Sequence, residues 1–212
     1  MAEYDDLIQR IQGRAHDPRS ATDMGPGRDA LERTRGVSTS SRVRRVLTQI
    51  YHSVSRATAT PTANPPVTPK ELEAAERVLG FSLPPLLRTL YLQVGNGGFG
   101  PGYGLLRLNR RNPRNQFEES AVSLYQVFSG GDPEYPEWRW PAGLLPICDW
   151  GCALRSCVDC TGDRAPVLRV DPEALADGDQ DAFQPEADSL YDWLEAWVED
   201  RVSFWPPFVA SR

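Results

Sequence analysis

The chain has 212 residues, 40% of them apolar, enough for one packed domain with or without an arm. No apolar run approaches the ~18 residues of a membrane span, and the opening MAEYDDLIQR lacks a basic start and an apolar signal core, so the expected compartment is the cytosol. The net charge of −6 divides unevenly: residues 1–66 carry 10 Arg against 7 Asp and Glu, leaving a body of net −9, which opposes nucleic-acid binding and either serves solubility alone or attracts a basic partner.

In chain order, Leu7, Ile8 and Ile11 make a short apolar stripe on a first helix that stops near Gly13. Residues 17–41 are polar and rich in Gly, Arg and Ser, which predicts a loop. Val43, Val46, Leu47, Ile50, Tyr51 and Val54 recur at helical spacing, so a second, arginine-rich helix is expected from Ser40 or Ser41 to about Arg56. TATPTANPPVTP follows as a linker.

The compact part opens at Thr68-Pro69-Lys70-Glu71, a capping box with Pro at the first helical position, and Gly80 is placed to end that helix. Pro84-Pro85 starts the next, with Leu86, Leu87, Leu90, Tyr91 and Val94 on its buried side. Tyr103–Leu108 reads as a strand and Ser120–Phe128 as a short helix. Strand-like runs follow near Leu144–Cys148, Cys152–Asp159 and Pro166–Val170. A last helix, capped by Asp188 or Ser189, buries Leu190, Trp193, Leu194, Trp197 and Val198. Helices, then clustered strands, then a helix predict an α+β domain with a mostly antiparallel sheet.

Gly95-Asn96-Gly97-Gly98-Phe99-Gly100 satisfies G-x-G-x-x-G, but a helix precedes it and a strand follows. That is the wrong polarity for a pyrophosphate at a helix N-terminus, and a tight turn is expected. Cys148, Cys152, Cys157 and Cys160 give C-x3-C-x4-C-x2-C inside apolar, strand-like sequence, where reduced cysteines act as small core hydrophobes rather than zinc ligands. The two histidines, His16 and His52, fit no H-E-x-x-H, and there is no G-x-S-x-G, so neither catalysis nor a cofactor is expected.

For binding, the candidates are the exposed acidic loop of Asp177, Asp179 and Asp181, and the proline-flanked pair Trp138 and Trp140, able to anchor a partner or to lid the core. The Asn96–Tyr103 turn, with Phe99, is a third. Between Asp171 and Asp200 stand eleven Asp and Glu and no basic residue, a field of one sign.

VTPKELEAAERVLGFSLPPLLRTLYLQVGNGGFGPGYGLLRL resembles the SUKH superfamily, named from the yeast Smi and Knr cell-wall regulators. So do WPAGLLPICDWGCALRSCVDC, APVLRVDPE and the closing SLYDWLEAWVED. The opening helix looks like the family's first, while the stretch from about Met24 to Thr62 is longer and more basic than the family's usual linker. The resemblance implies a single α+β domain over 66–200, a twisted sheet with helices against it, preceded by a helical and basic arm (1–65) and followed by a tail (201–212). It also implies no catalysis and no cofactor. Its bacterial members look like immunity proteins that bind a toxin, often a nuclease, and its fungal members act as regulatory scaffolds. The expected partner is a protein, such as a basic toxin domain, with no nucleic acid and no membrane; a scaffold with a non-toxin partner is the alternative.

Overall fold

The computed structural model describes residues 4–17, 63–110, 119–131, 133, 135–151 and 153–202. The helix expected over Ser41–Arg56 lies outside them. The described elements are α1 (Asp5–Ala15), α2 (Pro69–Leu79), α3 (Pro85–Thr89) continued by a π turn (Leu90–Val94), and α4 (Ala121–Ser129). They continue with β1 (Leu144–Gly151), β2 (Leu154–Asp159), β3 (Val167–Val170), α5 (Pro172–Ala176), β4 (Phe183–Ala187) and α6 (Leu190–Val198). Six helices and a four-stranded antiparallel sheet make the expected α+β fold.

The sheet is a meander in the order β1-β2-β3-β4. Alternation along the strands splits the core. Val158 and Val167 join Ile147 and Trp150 in a large cluster with α1, α2, α3 and α6, while Cys157 and Val170 join Leu144 in a separate one. Inside the helical layer, Leu7, Ile8, Ile11 and Ala15 are all buried, and α1 packs on α6 and the π turn. The chain's first helix thus shares the core of the segment that follows residue 63.

Local chemistry accounts for the helix ends. Thr68 N–H donates to Glu71 Oε2 at 2.7 Å, and Glu71 N–H donates back to Thr68 Oγ1 at 3.3 Å, completing the capping box. Gly80 ends α2 at φ +81°. Ser120 and Ser189 cap α4 and α6 in the same way, accepting from Ser123 N–H and Asp192 N–H.

Two elements differ from expectation. Tyr103–Leu108 is not a strand of the sheet: Leu105 makes one isolated bridge to Cys148, and Tyr103 and Leu106 N–H donate to Asp149 and Ile147 carbonyls. Gly102 and Gly104 have positive φ, and Leu105 instead exchanges hydrogen bonds with Gly98 and Phe99, so the segment folds on the preceding turn rather than extending a ladder. Conversely, Phe183–Ala187 forms β4 although it carries Pro185. A proline is tolerated there because β4 is an edge strand, and it blunts that edge against further pairing.

Gly97 sits at φ +72° with the Leu106 carbonyl oxygen 2.6 Å from where a Cβ would stand and the Leu105 oxygen closer still. Both neighbours are backbone, so they cannot swing away. Gly97→Ala is expected to cost at least about 2 kcal/mol in a denaturant melt, and a loss below about 0.5 kcal/mol would mean the turn relaxes freely.

Candidate protein-binding face

The acidic loop between β3 and β4 is built by local rules. Asp171 caps α5 by accepting from Glu173 N–H at 2.9 Å and Ala174 N–H at 3.2 Å. Past α5, Gly178 turns the chain at φ +78°, and Asp179 Oδ1 accepts from Asp181 N–H at 2.9 Å to start a single 3-10 turn, Gln180–Ala182. Leu175 and Ala182 are buried on either side of this turn, which leaves Asp177, Asp179 and Asp181 exposed.

The two tryptophans of the proline-flanked loop separate in role. Trp138 is 3% exposed and its Nε1 donates to the Phe128 carbonyl at 2.7 Å, so it closes the core and offers no surface to a partner. Trp140 is half-buried: its Nε1 donates to the Leu144 carbonyl at 2.8 Å, and its ring lies 4.6 Å from Phe128 and 6.1 Å, nearly parallel, from Trp138. Burial of Trp138 with Leu175 and Ala182 in one cluster draws this loop beside the acidic loop, and the stem of Glu137 lies against Gly178. Exposed Glu137 therefore extends the acidic edge, while Arg139 turns its guanidinium back onto the Pro136 and Trp138 carbonyls.

The third candidate group is spent on folding. Phe99 is 2% exposed inside the large core cluster, which removes it from any contact surface. Asn96 Oδ1 accepts from Leu108 N–H at 2.7 Å, and its carbonyl accepts from Asn64 Nδ2. Half-buried Tyr103 is fastened by its N–H to Asp149. This turn packs at the β1 edge, whereas the acidic loop joins β3 to β4, so the structure does not bring the two together.

The acidic field is also narrower than the run of carboxylates implies. Arginines distant in sequence pair with four of them: Arg10 with Glu195 and Glu199, Arg14 with Asp200, and Arg169 with Glu186 at 2.8 Å. Glu195 and Glu199 also meet Arg201. Asp177, Asp179 and Asp181, with Glu137 beside them, stay an exposed acidic cluster.

Among the described cysteines, Cys148 and Cys157 are buried in different clusters and Cys160 is half-buried; Cys152 lies outside the described residues. Cys148 Sγ donates to the Pro101 carbonyl at 3.1 Å. Burial pushes the Cys148 and Cys157 thiols well up and the Cys160 thiol up to about 12, so none is a ready thiolate at neutral pH. Native protein is expected to leave these three thiols unreacted with a disulfide reagent for as long as it stays folded, and rapid reaction at Cys148 or Cys157 before denaturation would contradict their burial.

Sequence patterns missed a buried ion cluster. Arg155 on β2 is fully buried, pairs with Asp149 opposite it on β1, and lies 3.5 Å from Glu119, just ahead of the Ser120 cap. Desolvation lifts the Glu119 carboxyl to about 7, with the nearby Arg155 opposing and Asp149 adding to the rise. A lone Arg in a strand of the LRSCVD type was the available signal, because an arginine facing into a sheet needs buried acids.

The family model described as SMI1/KNR4 family (SUKH-1) matches residues 66–196, from the lead-in to α2 through most of α6. The chain belongs to the SMI1/KNR4 family (SUKH-1). No curated protein matches it. The SUKH match takes in both loops of the acidic face, and α1 lies outside it while sharing its core. The family is in general one of binding domains and includes immunity proteins, which accords with a site of exposed charge over a closed core. No described helix is long and apolar enough to cross a membrane.

Proposed function

We propose that this chain is a non-enzymatic, immunity-type protein that neutralises a toxin by binding it, with the acidic loop and the adjoining Trp140 loop as the contact face. The observation that carries this reading is the juxtaposition itself: Asp177, Asp179, Asp181 and Glu137 form an exposed acidic edge beside a half-buried aromatic ring on a tightly packed base. Such a face suits a basic partner, since exposed charges of one sign speed encounter and an aromatic anchor contributes contact area. A nuclease domain, whose substrate-binding cleft is basic, is the partner of matching charge.

The test is to look for a toxin domain encoded beside this chain's gene and to co-express the two in a host that the toxin kills; a neighbourhood with no toxin gene would count against the reading. Growth should be restored, and the two proteins should co-elute as a complex. Persistent killing by a toxin that does not co-elute with the folded chain would sink the immunity reading.

A further inference from the structure

The C-terminal half of α6 and the residues that close it carry three carboxylates, Glu195, Glu199 and Asp200, with side chains 29%, 42% and 78% exposed. α6 itself contains no basic residue; Arg201, just past it, meets Glu195 and Glu199. The other cations come from α1. Arg10 reaches Glu195 and Glu199, each at 3.5 Å, and Arg14 pairs with Asp200. Arg14 Nη1 also donates to the Val198 carbonyl at 3.2 Å, at the negative end of the helix dipole, and its guanidinium lies 5.0 Å from the centre of the Trp197 ring. Asp6, one turn earlier on α1, shares Arg10.

Ion pairs this open to water contribute little to stability. What seats α1 is its buried stripe of Leu7, Ile8, Ile11 and Ala15, which fixes where the two guanidiniums stand. Their effect on α6 is therefore electrostatic. Among the described residues, three guanidiniums face the three carboxylates, and without the pair from α1 only Arg201 would face them.

We propose that Arg10 and Arg14 determine specificity by masking: they neutralise the end of α6, so that a basic partner finds its acidic approach at Asp177, Asp179 and Asp181 and not at a second patch. Discrimination then comes from suppressing a competing attraction as well as from the contact face. The identity of the partner rests on the function proposed above, whereas the masking itself does not.

The test is an amide NMR titration of the full chain with a lysine octapeptide at low ionic strength, where exposed charges act with least screening. In Arg10→Gln with Arg14→Gln, the Glu195, Glu199 and Asp200 amides should report the probe binding about tenfold more tightly than in the wild type. Arg10→Lys with Arg14→Lys keeps both charges and should mask these amides as the wild type does. Lys70→Gln with Arg77→Gln removes the same charge from exposed positions on α2 and should leave them unchanged. Should the paired Gln substitutions unseat α1, seen as loss of the Ala63 amide bond to the Ala15 carbonyl, Arg10→Gln alone keeps the Arg14 contacts. That variant should still raise the affinity at Glu195 and Glu199, by about threefold. No toxin takes part, so failure of the immunity reading and failure of the masking are seen separately. Equal affinity at these amides in the wild type and the Gln variants of α1, or the same gain in the α2 variant, overturns the masking.

Discussion

Arg155→Ala is expected to destabilise the chain by about 3–5 kcal/mol at pH 8, the cost of stranding buried carboxylates without their cation. Asp149 and Glu119 face this guanidinium from β1 and from the head of α4, and the side chain has no exposure through which water could replace it. The methylene stem is lost as well, leaving a cavity where a fully buried side chain stood. At pH 5 the deficit should shrink, since Glu119 then carries a proton in both chains. Denaturant melts of both proteins at the two pH values measure this. A loss under about 1 kcal/mol at pH 8 would mean the cluster is hydrated and not part of what holds the sheet to α4. Replacing Arg155 by Met together with Asp149→Asn and Glu119→Gln should recover most of the loss, because an uncharged cluster of similar volume has no desolvation to offset.

What could be read in advance divides along the range of the interactions involved. The α2 capping box, the Gly80 stop, the Pro85 start of α3 and the Ser189 cap are decided within a few residues, and the structure shows each of them. The acidic loop was legible for the same reason: Asp and Gly at these spacings make an Asx-type turn whatever lies around them. Tyr103–Leu108 was misread because its apolar residues suit a strand, while its glycines and the pull of the Gly98–Phe99 backbone decide otherwise. β4 was invisible because Pro185 lowers any strand propensity and only the pairing with β3 overrides it. The same limit hid how the proposed binding face is assembled. That Trp138 is interior and Trp140 marginal, that Glu137 lies by Gly178, and that Arg10 and Arg14 quench the acidic side of α6 all depend on contacts between distant segments.

The acidic edge is the centre of the functional account, and its electrostatics yield a sharp expectation. Asp177, Asp179 and Asp181 are exposed, and Asp179 alone of the three has a capping bond that Asn can reproduce, so Asp177→Asn, Asp179→Asn and Asp181→Asn together should leave the fold intact. Exposed charges at the border of an interface act mainly on encounter: removing three should slow association with the toxin domain about tenfold at low salt and flatten its dependence on ionic strength. Dissociation should change far less, by about twofold, because the packed contacts around Trp140 remain. The decisive measurement is therefore the association rate of the co-purifying toxin domain with wild-type and triple-substituted chains across a range of ionic strength. The account predicts a steep salt slope for the wild type and a shallow one for the variant, converging at high salt; identical rates and slopes would contradict it.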